Sequence, residues 1–179
     1  MIGYSQTNQW YGAFEAKMTN AKWELRWANG AGIDVWKDPN AGGWSVALVS
    51  PCAQDTNNPG RVLISISGPH GSNVAMWEAD IQAGLTTMRS KLPRANVFIL
   101  MPVVGGPNMD CSRADTQNPF IVQAIRNVAA RDSQLFVGYD PHVDRCGDFA
   151  DTLGHLTSSA SSSIGAEIGD FYAANLPDP

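Results

Sequence analysis

The chain lacks a cluster of basic residues. Its 179 residues include 12 lysines and arginines against 17 aspartates and glutamates, which gives a formal net charge of −5. A protein that binds nucleic acid needs clustered lysine and arginine that neutralise phosphates and release counterions. We therefore expect no nucleic acid among its partners.

The chain also lacks a long apolar run. The stretch from residue 97 to residue 104 is far shorter than the roughly 20 apolar residues that a membrane-spanning helix needs. The first residues pass directly into the polar segment from Ser5 to Gln9, so they do not match a signal peptide. We expect a soluble protein without membrane insertion. Secretion with a signal peptide already removed stays open, as does the oligomeric state.

Cysteine is scarce as well. Cys52, Cys111 and Cys146 allow at most one intramolecular disulfide, and their spacing matches no zinc-binding pattern. The chain does contain 44% hydrophobic residues, which is enough for a packed core that needs no disulfide or metal. Its length is typical of a single domain, so we interpret residues 1–179 as one domain.

Strands alternate with helices along the chain. Segments rich in β-branched residues predict buried strands at 61–67, 95–102 and 134–139, and the alternating segment 23–27 is either an edge strand or an irregular excursion. Apolar residues at helical spacing fall into three stripes, namely Ile81, Leu85, Met88 and Leu92; Phe120, Ile121, Ala124, Ile125 and Val128; and Ile164, Ile168, Phe171 and Tyr172.

This order predicts an α/β fold, a three-layer α/β/α sandwich with a central parallel sheet. Ligands of such sheets bind beyond the carboxyl ends of the strands. The loops that follow the predicted strands begin at Ser5, Gly68, Val103 and Asp140. We therefore expect the functional site to lie in these loops.

Two of these loops resemble one enzyme family. The segment Gly3-Tyr4-Ser5-Gln6 is similar to the nucleophile block of SGNH (GDSL-like) hydrolases. Residues 71–77 resemble the Gly-Gly-Thr-X-Ile-X-X-Trp segment of the sialate O-acetylesterase and acetylxylan esterase branch. The resemblance implies the flavodoxin-like SGNH hydrolase fold, Ser5 as nucleophile, and the N–H groups of Ser5 and Gly71 in an oxyanion hole. Considered alone, Ser5 also suits a helix N-cap and Gly71 an ordinary turn.

A third loop resembles the family's asparagine block. Gly106-Pro107-Asn108 is similar to Gly-X-Asn-Asp, which implies that Asn108 is a further donor to the oxyanion. The sialate-esterase branch carries Gln-Gly-Glu-X-Asp here, and this chain has neither that Gln nor that Glu. A turn with Asn108 in a left-handed conformation fits the same residues.

Asp151 and His155 precede the last predicted helix, where the family places Asp-X-X-His. The resemblance implies that His155 takes the Ser5 proton and returns it to the leaving alcohol, while Asp151 orients the imidazole. The spacing is one residue longer than the family pattern. Asp148 or a backbone carbonyl is therefore an alternative partner of His155.

Two of the six tryptophans, Trp10 and Trp77, fall close to the implied nucleophile and oxyanion loops. Aromatic faces stack on sugar rings, so we expect Trp10, Trp77 and His70 to contact a small-molecule or carbohydrate ester with an acetyl group. A lipase- or thioesterase-like hydrolase of short acyl chains and a non-catalytic carbohydrate-binding relative are the alternatives. Acyl transfer of this kind needs no metal and no organic cofactor.

Three further residues lie in the same loops. His142 is a less favoured alternative to His155 as the base, since a lone loop histidine is more often merely solvated. Cys111 and Cys146 follow neighbouring predicted strands, where a disulfide would clamp the two active-site loops, and two free thiols are an equal alternative.

Overall fold

The computed structural model describes residues 1–19, 21–52 and 58–177. The strands within these ranges are β1 (Ile2–Gly3), β2 (Arg26–Trp27), β3 (Arg61–Ile66), β4 (Val97–Pro102) and β5 (Leu135–Val137). All pair in parallel, in the order β2-β1-β3-β4-β5. The interpretation of the chain as one domain also covers residues 20, 53–57, 178 and 179, which lie outside the described residues, and it stays a prediction.

Helices cover both faces of this sheet. They are α1 (Ser5–Lys17), α2 (Ile33–Trp36), α3 (Val74–Lys91), α4 (Arg113–Ala129) and α5 (Ser158–Asn175). Helix α1 packs on α5 at one face, and α3 packs on α4 at the other. The expected three-layer α/β/α fold is confirmed. In the part of the chain that the structure describes, no helix is long and apolar enough to cross a bilayer.

Strand β4, which lies between β3 and β5, shows why the core has two halves. Phe98 and Leu100 join the core beneath α3 and α4, whereas Ile99 and Met101 join the core beneath α1 and α5. Successive side chains of a strand point to opposite faces, so a strand covered on both faces is apolar throughout. The predicted helix stripes face these cores, with Ile81, Leu85, Met88, Ile121, Ala124, Ile125, Val128, Ile164, Ile168 and Tyr172 buried and Leu92, Phe120 and Phe171 partly buried.

The two edge strands of the sheet agree with the sequence predictions to different degrees. Strand β2 lies at one edge and confirms the edge strand within residues 23–27. Strand β5 confirms a strand within residues 134–139, but the prediction that it is buried is wrong, since Phe136 and Val137 are 38% and 51% exposed. Because β5 is the last strand and pairs only with β4 within the described residues, its outer side lacks a neighbouring strand.

Candidate active site

Ser5 and His155 meet although 150 residues separate them. Ser5 is the first residue of α1, and only Tyr4, the N-cap of the helix, separates it from the end of β1. The Ser5 hydroxyl lies 2.7 Å from Nε2 of His155. The N–H groups in the first turn of a helix have no partner inside the helix. Ser5 therefore offers a hydroxyl next to a base and a backbone N–H beside it.

Asp151 holds the other nitrogen of the His155 ring. Its Oδ2 lies 2.6 Å from Nδ1 of His155, and its Oδ1 accepts the N–H groups of Leu153, Gly154 and His155 at 3.0 to 3.1 Å. Gly154 has a φ of +104°, a left-handed conformation that glycine adopts without strain. The extra residue between Asp151 and His155 is accommodated by this turn.

Of the two aspartates considered, the structure places Asp151 at the ring. Burial acts to raise the pKa of the Asp151 carboxyl, but its hydrogen bonds with the ring and the backbone of His155 and with the Gly154 N–H lower the pKa below its usual value. Asp148 instead forms an ion pair with Arg145 at 3.2 Å. Asp151 is thus an ionised hydrogen-bond acceptor that favours the His155 tautomer with Nε2 free to accept the Ser5 proton.

Gln6 is a site residue that the sequence did not indicate. Its fully buried carboxamide oxygen accepts hydrogen bonds from the Tyr4 hydroxyl at 2.7 Å and the Val104 N–H at 3.0 Å. Its nitrogen donates to the Gly154 carbonyl at 2.7 Å. The side chain therefore joins the ends of β1 and β4 to the loop that carries His155. A glutamine in the first turn of a helix is usually solvated, so its sequence context gave no sign of this role.

A cavity of about 350 Å³ opens beside Ser5 and His155. Its wall is mostly polar side chains and small residues. The described residues that line it are Tyr4, Ser5, Gln6, Asn29, Gly30, Gly32, Asp34, Ser67, Gly68, Pro69, Val103, Arg113, Ala114, Gln117, Leu153, Gly154 and His155. They lie at or beyond the carboxyl ends of the strands, in the segments that follow β1, β2, β3, β4 and β5, where an open parallel sheet binds its ligands.

The oxyanion residues expected from the sequence are only partly brought together. Ser5 lines the cavity, but neither Gly71 nor Asn108 is among the described residues that do so. Gly71 has a φ of +54° and its carbonyl accepts the Trp77 indole N–H at 3.0 Å, so it serves the turn into α3. Asn108 lies on an exposed turn before α4. These two assignments are corrected, since the loops after β3 and β4 reach the cavity earlier, at Gly68 and Val103.

Gly68, three residues before Gly71 in the same loop, is a glycine that does line the cavity of Ser5. Its N–H donates to no backbone carbonyl within the described residues. A Cβ at Gly32 would lie 2.8 Å from the Gly68 Cα and 2.6 Å from the Ser67 carbonyl oxygen. The two glycines thus let the start of α2 approach the end of β3 closely.

The three residues expected to contact substrate are buried instead. Trp10 and Trp77 are fully buried on the inner faces of α1 and α3. His70 is hydrogen-bonded to Asp80 at 2.8 Å and meets the Trp77 ring edge-on at 4.9 Å, and its side chain is only 7% exposed. The expectation that these rings stack on a substrate is wrong, because α1 and α3 turn the two tryptophans into the core and Asp80 with Trp77 holds His70 in the loop before α3. Tyr4 is the one aromatic residue among the described residues that line the cavity.

His142 lies away from Ser5, in a second cavity of about 660 Å³ on the other side of the segment after β4. Its Nε2 is 3.2 Å from Asp140 and its Nδ1 is 3.3 Å from the Gly106 carbonyl oxygen. The hydrogen bond with Asp140 raises the pKa of His142 above its usual value. With both ring nitrogens facing oxygen acceptors, His142 is not placed to serve as the base for Ser5.

A disulfide joins Cys111 to Cys146, with the two Cα atoms 4.9 Å apart, and Cys52 carries a free thiol. Of the two alternatives left open by the sequence, the structure has the bridge. Within the described residues, Asp110 with these two cysteines is the one group of three that could surround a metal ion. Disulfide sulfurs are not the thiolates that bind metals, so this group does not fit a metal.

No protein-family model and no curated protein matches the sequence. Among solved structures, the fold is similar to a carbohydrate esterase family 2 enzyme with a carbohydrate-binding domain from Corynascus thermopiles (Myceliophthora fergusii), with 17% identity and a TM-score of 0.60. It is also similar to the acetyl xylan esterase Est2A from the rumen bacterium Butyrivibrio proteoclasticus, with 15% identity and a TM-score of 0.57. A family two carbohydrate esterase from Clostridium thermocellum in complex with cellohexaose matches with 12% identity and a TM-score of 0.61.

Each similarity covers 98% of this chain but only 63% to 65% of the other protein. The chain thus spans slightly less than two thirds of the length of these three proteins. At such low identity, what the similarity shows is a shared fold. The chemistry must be argued from the residues around Ser5.

Proposed function

We propose that the protein is a serine esterase in which Ser5 attacks the ester carbonyl and His155 is its base. The observation that carries the proposal is the continuous pair of hydrogen bonds from Ser5 to His155 at 2.7 Å and from His155 to Asp151 at 2.6 Å. A serine that only caps a helix needs no imidazole at its hydroxyl, and the cap here is Tyr4. The fold shared with known esterases supports the same reaction class.

The geometry accounts for each proton. As the Ser5 oxygen bonds to the carbonyl carbon, Nε2 of His155 takes its proton, and Asp151 stabilises the imidazolium that results. The carbonyl oxygen gains negative charge, which the N–H groups of Ser5 and Gly68 are available to stabilise. His155 then returns the proton to the leaving alcohol. Water, activated by the same imidazole, releases the acid from Ser5.

The wall of the cavity supports a small acyl group and a polyhydroxylated alcohol. Gly32, Gly68, Val103, Ala114 and Gly154 are small and leave room for a group such as acetyl. In the lining, Asp34 and Arg113 have no ion-pair partner among the described residues. The Arg113 guanidinium donates one hydrogen bond, to the Gly68 carbonyl at 3.3 Å, and has further N–H donors. These donors and the Asp34 carboxylate suit the hydroxyls of a sugar, which both donate and accept hydrogen bonds. We therefore propose an acetylated carbohydrate as substrate.

The neighbours in fold point in the same direction. Two of these esterases are described by their family 2 carbohydrate esterase class and one as an acetyl xylan esterase, and one holds cellohexaose. The resemblance of residues 71–77 to an acetylesterase segment supports acetyl as the acyl group. A lipase-like preference would need an apolar groove at Ser5, and Leu153 is the exposed large hydrophobic residue at this cavity.

Hydrolysis of p-nitrophenyl acetate and of an acetylated xylo-oligosaccharide tests the proposal. Ser5→Ala should lower kcat for both esters by at least about 1000-fold, because the variant loses its nucleophile. Ser163→Ala, an exposed serine on α5, is the matched control and should behave as the wild type. Equal rates for Ser5→Ala and wild type would refute the esterase. Activity on p-nitrophenyl acetate without activity on any acetylated sugar would refute only the substrate class.

A further inference from the structure

Gln117 is a buried amide whose hydrogen bonds are not made within the protein. It lies in the second turn of α4 and is only 6% exposed. Its carboxamide has no hydrogen-bond partner among the described residues, yet it is not sealed in the core, because Gln117 lines the cavity of Ser5. Buried side-chain amides are almost always hydrogen-bonded. This one is left to a ligand or to water in the cavity.

The position of α4 explains how Gln117 reaches the cavity. The Ser112 hydroxyl caps the helix by accepting the Asp115 N–H at 3.2 Å. Arg113, Ala114 and Gln117 then fall on one face of the helix, since residues three and four apart are neighbours. All three line the cavity, with the end of β4 as the adjoining wall.

The adjacent amide on the same helix is different. Nδ2 of Asn118 donates to the Val103 carbonyl at 2.7 Å and to Asp140 at 2.9 Å, so both of its N–H groups have partners. Asn118 therefore holds the segment after β4 in place. Gln117, one residue earlier, keeps both of its N–H donors for the cavity.

We propose that Nε2 of Gln117 donates a hydrogen bond to the ester oxygen as it becomes negatively charged. This inference rests on the proposed esterase function. When the Ser5 oxygen bonds to the carbonyl carbon, the π electron pair of the carbonyl moves onto its oxygen, and no proton is needed from the amide. Gln117 joins the N–H groups of Ser5 and Gly68 and takes the role that the sequence indicated for Asn108, which is exposed outside the cavity.

The rate of deacylation distinguishes a role of Gln117 at the oxyanion from a role in binding the alcohol. After the first product has left, the acetyl-enzyme carries no alcohol, so only groups at the acyl carbonyl still affect its hydrolysis. Rapid mixing with p-nitrophenyl acetate measures acylation from the burst of p-nitrophenol and deacylation from the steady state. A donor to the oxyanion accelerates both steps.

Gln117→Met and Gln117→Glu are the informative variants. Methionine keeps the length and bulk but has no N–H donor, so both steps should slow by about 100-fold with a much smaller change in KM. Glutamate places negative charge at the oxyanion and should slow both steps at least as much. Gln123→Met, the same substitution at an exposed site on α4, is the control and should keep wild-type rates. Thermal unfolding confirms that each variant is folded.

Wild-type deacylation in Gln117→Met, with only KM raised for sugar esters, would overturn the inference and assign Gln117 to the alcohol. If Ser5→Ala loses activity while both Gln117 variants keep wild-type rates, the proposed esterase function stands and only the role of Gln117 is refuted. If Ser5→Ala keeps full activity, the proposed function itself fails. A crystal structure of the wild type with a methylphosphonate on Ser5 needs no variant: its phosphonyl oxygen should lie within about 3.2 Å of Gln117 Nε2, and a gap beyond about 4 Å would contradict the inference.

Discussion

At the scale of single residues, the Asp151 carboxylate does two things at once. One oxygen holds the His155 ring, and the other accepts three consecutive backbone N–H groups from the same loop. The turn and the tautomer of the imidazole therefore depend on one side chain. Because its side chain is 42% exposed, water competes for these hydrogen bonds, and we expect its effect on the rate to be smaller than that of a buried carboxylate.

Asp151→Asn tests this assignment. The amide oxygen can still accept the backbone N–H groups, but its NH₂ would then face Nδ1 of His155 and favour the tautomer that carries the proton on Nε2. We expect kcat to fall by about 100-fold, below the roughly 10,000-fold known for a buried carboxylate. Rates of p-nitrophenyl acetate hydrolysis measure the change.

Asp148→Asn is the matched control for the same substitution. Its carboxylate faces Arg145 on the surface, so kcat should stay within about twofold of wild type. A loss in Asp148→Asn that equals the loss in Asp151→Asn would mean that the loop, not the contact with the imidazole, determines the rate.

The sequence identified the site residues that have reactive side chains. It missed the residues that belong to the site only because of where the fold places them. Ser5, Asp151 and His155 follow a family order, and the structure brings them together. The sequence indicated Gly71 rather than Gly68 because two glycines occupy one short loop and sequence spacing does not tell which one lines the cavity. Gln117 carries no sequence signal, since its burial depends on how α4 packs. The number of tryptophans gave no indication of where they lie.

At the scale of elements, the pair α1 and α5 sets the distance between the nucleophile and its base. Ser5 begins α1, and α5 begins three residues after His155. The helices touch through Gly165 and Gly169, where an added Cβ at Gly165 would clash with the Trp10 carbonyl oxygen and one at Gly169 would lie 2.6 Å from the Lys17 Cβ. Glycine is required at these positions because the neighbouring backbone leaves no room for a side chain.

Gly165→Ala should therefore separate the two helices. We expect the free energy of unfolding to fall by about 1 to 3 kcal/mol, because the core has no space for the methyl group. The shift also moves Ser5 relative to His155, and a displacement near 1 Å can lower kcat by about 100-fold. Denaturant unfolding and ester hydrolysis measure both effects.

Gly12→Ala provides the control within the same helix pair. Gly12 is exposed, and an added Cβ would have no atom within 4 Å. Alanine favours the helix over glycine, so this variant should gain about 0.5 to 1 kcal/mol and keep its kcat. If Gly165→Ala were as stable and active as Gly12→Ala, close helix packing would not position the site.

The elements themselves were predictable to different degrees. Strands β3 and β4 have apolar runs bounded by loops, and the long helices have clear stripes, so both were found from the sequence. Strand β1 has two residues, too few for any period to show, whereas the two residues of β2 lie in the alternating segment 23–27, which left an edge strand and an irregular excursion as alternatives. The exposure of β5 follows from its place at the end of the sheet, which local sequence does not encode.

At the scale of the whole molecule, the site is assembled from chain segments far apart in sequence, and one disulfide joins two of these segments. Cys111 directly precedes Ser112, the cap of α4, and Cys146 lies in the turn before the loop of Asp151 and His155. The Arg113 N–H also donates to the Thr152 carbonyl at 2.8 Å. The disulfide therefore fixes the helix that carries Gln117 against the loop that carries the base.

Replacing both cysteines of the bridge by serine tests how much of this architecture depends on the link. The bridge spans 35 residues, and the loss of chain entropy in the unfolded state predicts a stabilisation of about 3 to 4 kcal/mol. For a chain of this size, the unfolding midpoint should fall by roughly 10 °C. The double variant should keep its ester hydrolysis well below that midpoint, because the hydrogen bonds of the site remain, and lose it as the protein unfolds.

Cys52→Ser removes a free thiol outside the bridge and should leave the midpoint nearly unchanged. An equal drop in both proteins would show that the bridge contributes no specific stability, whereas activity lost well below the midpoint would show that it positions the catalytic loop directly.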